Sequence, residues 1–311
     1  MSTEADGEHR INTNVETDTA PAGLATTALR PAVRLLVQRP ASLGELVTAS
    51  GVSRRGVEAL LASWQEDEPA EGGLKVDHED RYRLTEPLRS RVAAEWGIDQ
   101  PADDRRLCDP AMIERLTAWA TDLPRPRRDL DHRPATPEGV ANRLDLLATH
   151  LDLRGASILV LGARDLDAAA LATDGRARRV ATLDVDDAVL AAVGAADLPP
   201  KALTLRWCDV RVGLPASLTG WADLVISDPP YTPAGMEAFL AAATGALSGP
   251  EARVAISYGF GETRATLGWQ VQREMLRANL ALCAMWPDVV TYEGAEAIGG
   301  RADLYLLAPT G

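Results

Sequence analysis

The residues best suited to chemistry form one pentapeptide, Asp228-Pro229-Pro230-Tyr231-Thr232, which follows the apolar run at 224–226. The two prolines withhold backbone donors and fix φ, so the loop is stiff and its side chains are held in place. A carboxylate and fixed carbonyl oxygens can accept the hydrogens of an amine, and an aromatic ring can lie against a base or a cation. The pentapeptide therefore predicts a site for an amine nucleophile; the alternative is a strand followed by a plain Pro-Pro turn.

Polar or small residues also lie at the ends of three earlier segments that are predicted to be strands. Gly162 follows the segment at 157–161, Asp184 ends the segment at 179–183 and Asp209 follows the segment at 203–207. Open α/β sheets bind ligands at the carboxyl ends of their strands, where Asp184 could accept from both ribose hydroxyls and Asp209 from an adenine amine. With Asp228, these positions favour S-adenosylmethionine or a relative. Cofactor contacts are predicted for Gly162, Arg164, Asp165, Asp184, Val185, Asp209 and Pro229.

The sequence around these runs alternates between strand and helix. Strands are predicted at 157–161, 179–183, 203–207, 223–226 and 253–257, and a final antiparallel hairpin at 289–292 and 304–307. This order is typical of an α/β, Rossmann-like sheet of the class I methyltransferase type, doubly wound and finished by a reversed strand. The segment 162–165 has one glycine, so the dinucleotide fingerprint of NAD proteins is absent. We assign residues 131–311 to this catalytic domain.

The N-terminal part has a different pattern. Residues 1–22 are polar and acidic and are predicted to be a disordered tail. Residues 23–100 contain three helical segments and a hairpin at 74–76 and 81–84, which together predict a winged-helix domain. Its third helix begins with Arg54 and Arg55, but acidic residues follow closely, so a structural or dimer-forming role is favoured over DNA binding and we expect a homodimer. Residues 101–130 are predicted to be a linker with one helix.

Composition limits the partners. The 311 residues carry a formal net charge of −13, which disfavours a nucleic-acid footprint but is compatible with a cationic substrate. The sequence has neither a long apolar run nor a signal core, so a cytoplasmic protein without membrane contact is expected. The three cysteines are scattered and the four histidines fall in no ligand pattern, so no metal site is predicted.

Four motifs resemble one known family, the branched-chain polyamine synthases, also called bis-aminopropyl spermidine synthases. They are the pentapeptide at 228–232, Leu183-Asp184-Val185-Asp186, Asp131 with Thr136-Pro137-Glu138, and Gly299-Gly300-Arg301-Ala302-Asp303-Leu304. The resemblance implies a winged-helix domain, a Rossmann-like catalytic domain, and transfer of aminopropyl groups from decarboxylated S-adenosylmethionine to a polyamine nitrogen.

One departure from the family concerns the loop after the first strand. The family carries Gly-Asp-Asp-Asp there, whereas this chain has Gly162-Ala163-Arg164-Asp165. Guanidinium pairs with carboxylate, so Arg164 would suit intact S-adenosylmethionine and a transferred 3-amino-3-carboxypropyl group. The alternative is a solvent-facing arginine. Without an acceptor, the same carbon skeleton could close to a cyclic amino acid.

The expected chemistry is a displacement at a sulfonium-bound carbon with methylthioadenosine as the leaving group. Asp228 is the first candidate to accept the amine's proton and Asp165 the second, while Tyr231 could face the sulfonium. The small-molecule amine or amino acid substrate is predicted to contact Pro230, Tyr231, Tyr258, Phe260, Glu293 and Glu296. Two rival hypotheses remain open: an amine N-methyltransferase, and a winged-helix regulator with an inactive nucleoside domain.

Overall fold

The computed structural model describes residues 25–66, 73–96, 98, 106–200, 202–260, 264–293 and 300–310. The predicted tail at 1–22 and Glu296 lie outside these ranges. Among the described helices, none combines the length and the apolar character needed to cross a membrane.

In the described part of the N-terminal region there are four helices and three short strands. They are α1 (Ala25–Gln38), β1 (Ala41–Ser42), α2 (Leu43–Ser50), α3 (Arg54–Glu66), β2 (Leu74–Val76), β3 (Arg81–Leu84) and α4 (Glu86–Glu95). The strands form an antiparallel sheet in the order β1-β3-β2. Ser42 begins α2 in a capping box with Glu45, and Gly51 ends it with φ 67°. The assignment of these elements to a winged-helix domain, and the homodimer, remain predictions.

The second part is built on a seven-stranded sheet in the order β6-β5-β4-β7-β8-β10-β9. Strands β4 to β8 are parallel, and β10 runs antiparallel to both of its neighbours. This confirms the predicted class I methyltransferase-type sheet. The elements are α5 (Pro110–Asp122), α6 (Pro137–His150), β4 (Ser157–Leu161), α7 (Asp167–Asp174), β5 (Arg179–Asp184), α8 (Asp187–Ala195), β6 (Leu203–Trp207), β7 (Leu224–Ser227), α9 (Pro233–Ala246), β8 (Arg253–Tyr258), α10 (Ala265–Arg277), β9 (Leu280–Thr291) and β10 (Arg301–Pro309).

Helices cover both faces of the sheet, so its central strands are buried on two sides. In β4, Ile158 and Val160 belong to the hydrophobic core that includes residues of α5 to α8. Leu159 belongs to the opposite core, with residues of α9 and α10. Because side chains alternate along a strand, this buried arrangement requires a continuous apolar run. The carboxyl ends of β4, β5, β6 and β7 are thereby held together at one edge.

Helix α5 lies in a segment that the sequence predicted to be a linker, and the described part of this segment is instead packed into the main core. Leu116 is 1% exposed and belongs to the core that contains α6. Asp145 of α6 accepts backbone hydrogen bonds from Leu107 and Cys108 at 2.7 and 2.8 Å. The apolar face of α5 explains this burial. The Pro/Arg stretch at 124–128 favoured the interpretation of the whole segment as a linker.

The C-terminal hairpin is longer than predicted. The sequence indicated strands at 289–292 and 304–307, whereas β9 spans Leu280–Thr291 and β10 spans Arg301–Pro309. Strand β9 lies at the sheet edge and contains Pro287, which is tolerated there because an edge strand has one unpaired side. This proline and the exposed positions of β9 obscured the strand pattern.

Candidate active site

A cavity of about 610 Å³ opens at the carboxyl ends of β4 to β7, within the usual size range of small-molecule sites. Ten of the predicted site residues line it: Gly162, Arg164, Asp165, Asp184, Val185, Asp209, Asp228, Pro229, Pro230 and Tyr231. Gly162 adopts φ +100°, a backbone conformation that favours glycine, and so turns the chain out of β4. The strand-end pattern therefore identified the walls of one cavity.

Arg143 of α6 is the centre of the charged part of this cavity, and the sequence analysis did not identify it. Its side chain is 1% exposed. Nε and Nη2 donate to Asp167 at 2.9 and 2.5 Å, and Nη2 also donates to Asp165 at 3.1 Å. Nη1 donates to Ser257 at 2.9 Å and lies 3.6 Å from Oδ2 of Asp228. One guanidinium thus connects the ends of β4, β7 and β8.

Asp228 directly follows β7 and is contacted from two directions. The hydroxyl of Tyr292, just after β9, donates a hydrogen bond to its Oδ2. The side chain of Asp228 is 15% exposed, and the residue lines the cavity. Tyr292 is buried and was not predicted as a site residue. The paired prolines and these two contacts together hold the carboxylate at the cavity wall.

Burial dominates the electrostatics of this cluster. It raises the pKa of Asp228 well above its usual range, with Asp165 adding to the effect and Arg143 opposing it. Burial also raises the pKa of Asp167 to about 6, against the opposing charge of Arg143. For Arg143, burial lowers the pKa, but the carboxylates of Asp167 and Asp165 outweigh it and the pKa lies well above the ordinary value. Asp228 therefore has a high affinity for a proton.

The segment at 128–133, before α6, forms another wall of the cavity. Oδ2 of Asp131 accepts the backbone N–H of Tyr231 at 3.0 Å, and Oδ1 of Asp165 accepts the backbone N–H of Ala135 at 3.1 Å. Asp131 adopts φ 53°, so the chain turns sharply there. These bonds place a further carboxylate, Asp131, beside Tyr231. The sequence analysis quoted Asp131 only as part of a motif.

Asp184 lies at the predicted ribose position, but it also has a structural role. Its side-chain oxygens accept the backbone N–H groups of Ala163 and Asp186 at 2.7 and 2.8 Å. It therefore connects the loop after β4 to the end of β5. Each carboxylate oxygen has two lone pairs, so acceptor capacity remains for a ligand hydroxyl.

Asp209, the predicted adenine acceptor, lines the cavity but is paired with Arg211. Its oxygens accept from Nε and Nη2 of Arg211 at 2.9 and 2.7 Å. An adenine amine bound here would donate to the same carboxylate oxygens that already accept from Arg211. Val185 also lies at this end, and its carbonyl oxygen accepts the indole N–H of Trp207 at 2.9 Å.

Arg164 lines the cavity and is 9% exposed, so the solvent-facing alternative is wrong. Its Nη2 donates to the carbonyl oxygen of Pro124 at 2.7 Å. Nε and Nη1 are buried and have no hydrogen-bond partner within the described part of the chain. Burial lowers the pKa of the guanidinium, while Asp165 opposes this effect. The side chain therefore retains unused donors behind the cavity wall.

Three predicted substrate contacts lie outside the cavity lining. Tyr258 is fully buried, with its ring 5.0 Å from that of Tyr231, so it supports Tyr231 from behind. Phe260 packs against Gly268 of α10, where an added Cβ would lie 2.9 Å from its ring. Glu293 is exposed, and its backbone N–H donates to Pro134. The prediction for Glu296 lies outside the described residues.

Arg143, Asp167 and Tyr292 were missed for different reasons. Arg143 is the charged residue on the apolar face formed by Val140, Leu144 and Leu147, and a lone charge on such a face was a usable signal. Asp167 begins α7 and resembles an ordinary helix-terminal acid. Tyr292 reaches Asp228 across 64 residues of chain, and no local pattern specifies this contact.

Known proteins match this chain in sequence and in fold. The N(4)-bis(aminopropyl)spermidine synthase of Thermus thermophilus is 34% identical over 140 residues, 44% of this chain and 40% of that protein. The synthase of the same name from Thermococcus kodakarensis is 29% identical over 171 residues, 54% of this chain and 48% of that protein. Each match thus covers less than half of the relative's length.

The solved structure of a branched-chain polyamine synthase from Thermus thermophilus, in complex with N4-aminopropylspermidine and 5'-methylthioadenosine, has the same fold. The TM-score is 0.56 at 22% identity, over 90% of this chain and 87% of that one. Residues 111–302 match the family described as the branched-chain polyamine synthase A C-terminal domain. The resemblance found in the sequence motifs is confirmed, and this chain belongs to that family.

Proposed function

We propose that this chain transfers an aminopropyl group from decarboxylated S-adenosylmethionine to an amine nitrogen of a polyamine and releases methylthioadenosine. The observation that carries the proposal is the charge balance at the cavity. Asp165, Asp167 and Asp228 share the guanidinium of Arg143, which is their only ion-pair partner within the described ranges. When ionised, the cluster has two more negative charges than positive ones.

Such a cluster favours a cationic ligand. Buried carboxylates without a counterion are costly, so the site must take up a proton or a positively charged group. Decarboxylated S-adenosylmethionine carries a sulfonium and a terminal ammonium, and no carboxylate that these acids would repel. A polyamine is also cationic. The donor set of Arg143 is already engaged, which leaves little capacity for a ligand carboxylate.

The reaction is one displacement. The lone pair of the acceptor nitrogen forms a bond to the propyl carbon attached to sulfur, and the carbon–sulfur bond breaks with its electron pair passing to sulfur. The sulfonium becomes the neutral thioether of methylthioadenosine, and the new ammonium loses a proton to Asp228. Because the leaving group departs without protonation, the protein mainly aligns the two reactants and excludes water.

The residues divide into a donor side and an acceptor side. On the donor side, Gly162 and Asp184 lie at the ends of β4 and β5, where nucleosides bind in this fold class. On the acceptor side, Asp228 and the ring of Tyr231 face the cavity, with Asp131 bonded to the backbone of Tyr231. Carboxylates and an aromatic face are suitable partners for an amine that must approach the sulfonium carbon.

Mass spectrometry of products tests this function. The protein is mixed with spermidine and either decarboxylated or intact S-adenosylmethionine. We expect methylthioadenosine and a polyamine heavier by one aminopropyl group with the decarboxylated donor. S-adenosylhomocysteine as the nucleoside product would instead favour the amine N-methyltransferase, and strong salt-dependent binding of duplex DNA without turnover would favour the regulator.

Arg164 supports a second candidate, transfer of a 3-amino-3-carboxypropyl group from intact S-adenosylmethionine. Its guanidinium lies at the cavity wall with two buried nitrogens that have no partner in the described part of the chain. A donor carboxylate could pair with it after a rotation of the side chain away from Pro124. A polyamine heavier by one 3-amino-3-carboxypropyl group would establish this transfer. A cyclic amino acid formed without an acceptor would instead establish cyclisation of the same donor.

A further inference from the structure

Tyr292 has no place in the reaction as described so far, yet it contacts the candidate proton acceptor. It is 7% exposed and lies outside the cavity lining. Its hydroxyl donates to Oδ2 of Asp228. Nη1 of Arg143 is also nearest to this oxygen, at 3.6 Å. Both contacts therefore fall on one oxygen, and Oδ1 accepts no hydrogen bond from the residues that the structure describes.

The backbone around Tyr292 is fixed on two sides. Its N–H donates to the carbonyl oxygen of Gly300 at 2.9 Å, which connects it to the start of β10. On the other side, Thr291 accepts the backbone N–H of Thr136 at 2.8 Å, and the hydroxyls of the two threonines lie 2.6 Å apart. The phenol thus belongs to a rigid junction between the end of β9 and the start of α6.

We propose that Tyr292 is a positioning residue for the transfer, which orients the carboxylate of Asp228 with Oδ1 toward the acceptor amine and stabilises its ionised form. This inference rests on the proposed function. A hydroxyl that donates to a carboxylate favours the charged state, because the protonated acid is a weaker acceptor. Asp228 can accept a proton from the substrate only in that charged state.

Other charged groups around Asp228 also shift its pKa. Asp165 and Asp167, from the loop after β4 and the start of α7, raise the pKa of Asp228 together with burial, and Arg143 of α6 lowers it. Tyr231 follows Asp228 in the loop after β7. The hydroxyl of Tyr292 lowers the pKa of Asp228, so its removal must raise this pKa further.

The test is Tyr292→Phe, with kcat/KM for the polyamine measured as a function of pH. In the parent protein kcat/KM should fall on the acidic side of the pH profile, as Asp228 becomes protonated. In Tyr292→Phe we expect this acidic limb of the profile to move to higher pH by about one to two units. The substrate's own ionisation is the same in both proteins and cannot cause the difference. Tyr305→Phe is the matched control, because Tyr305 is 2% exposed in β10 and lies outside the cavity lining. An acidic limb that does not move would overturn the proposal.

A second variant retains the size of the side chain in case Tyr292→Phe does not fold. Incorporation of 3-fluorotyrosine at 292 makes the phenol a stronger donor, and the acidic limb should then move to lower pH. An unchanged limb in this variant also counts against Tyr292.

A third readout separates this inference from the proposed function. The infrared band of a protonated carboxyl, assigned by its loss in Asp228→Asn, is followed as a function of pH without substrate. The parent protein could form no methylthioadenosine while the band titrates at higher pH in Tyr292→Phe than in the parent. That result would reject the proposed function but support the effect of Tyr292 on the pKa of Asp228. If turnover is normal and the titration is the same in both proteins, the role of Tyr292 fails alone.

Discussion

Arg143 and Asp167 form a buried ion pair in which Nε and Nη2 of the arginine contact Oδ1 and Oδ2 of the carboxylate at 2.9 and 2.5 Å. The pair connects the middle of α6 to the first residue of α7, with both side chains at most 2% exposed. Asp165 and Asp228 also lie within 4 Å of Arg143. The arginine of this ion pair therefore contacts all three carboxylates of the anionic cluster.

Arg143→Met should lower the free energy of unfolding by roughly 3 to 5 kcal/mol, because it leaves buried carboxylates without their counterion. Urea denaturation at pH 7 measures this loss. Arg54→Met is the control: Arg54 makes an exposed pair with Glu58, and removal of such a pair should leave the stability almost unchanged.

The deficit of Arg143→Met should shrink as the pH is lowered. Burial already raises the pKa of Asp167 to about 6 in the presence of Arg143, and loss of the guanidinium raises it further. Between the unfolded pKa and this raised value, the folded variant binds more protons than the unfolded chain, so its stability increases as pH falls. A deficit that grows between pH 7 and pH 5 would contradict the assignment of these charges.

Gly139→Ala should disturb the junction that holds Tyr292. An added Cβ would lie 2.7 Å from the backbone N and O of Thr291, which is too close without a shift of α6 or β9. We expect a loss of roughly 1 to 3 kcal/mol by thermal or urea unfolding. In Gly245→Ala, the new Cβ meets nothing nearer than 4.0 Å, and this helical variant should gain up to about 1 kcal/mol. Equal effects at the two sites would contradict the close packing.

Asp228→Asn should bind the donor but slow single turnover by about two orders of magnitude or more, the usual size of a lost proton acceptor. The amide keeps the shape of the side chain and can still accept from Tyr292. Rapid-quench measurement of methylthioadenosine formation checks this. A rate equal to that of the parent protein would remove the proton-accepting role from Asp228.

Asp184→Ala should weaken methylthioadenosine binding by a factor of about ten to a hundred, because one hydrogen bond to a charged group contributes roughly 1.5 to 3 kcal/mol. It should also lower stability, because the backbone N–H groups of Ala163 and Asp186 lose their acceptor. Calorimetry gives both quantities. Unchanged affinity in a folded variant would exclude Asp184 from the ribose site.

The sequence predicted the parts of the site that depend on local pattern. A buried parallel strand is an apolar run, so the amino-acid order alone assigns Gly162, Asp184 and Asp228 to strand ends. The contacts between elements could not be assigned in this way. Arg143 and Tyr292 approach Asp228 from α6 and from the end of β9, and their proximity depends on how these elements pack.

For two segments, local pattern could not show which residues face the cavity, because exposure is a tertiary property. Tyr258 and Phe260 follow the fifth strand, as a substrate loop would, but Tyr258 packs behind Tyr231 and Phe260 packs on α10. The composition of the segment at 124–128 indicated a linker, although its last residue, Arg128, and the following residues 129–133 form a cavity wall. Composition describes how polar a segment is, and it does not specify which surface the segment covers.

The most direct test of the account is the ratio of kcat/KM for decarboxylated over intact S-adenosylmethionine, measured by methylthioadenosine release with spermidine as acceptor. The acidic cluster predicts a ratio above one, by a factor of about ten to a hundred, which is the effect of a single charge-assisted hydrogen bond. Arg164→Gln should change this ratio little, because the guanidinium is bonded to the carbonyl oxygen of Pro124. A parent enzyme that prefers the intact donor, with the preference lost in Arg164→Gln, would contradict aminopropyl transfer.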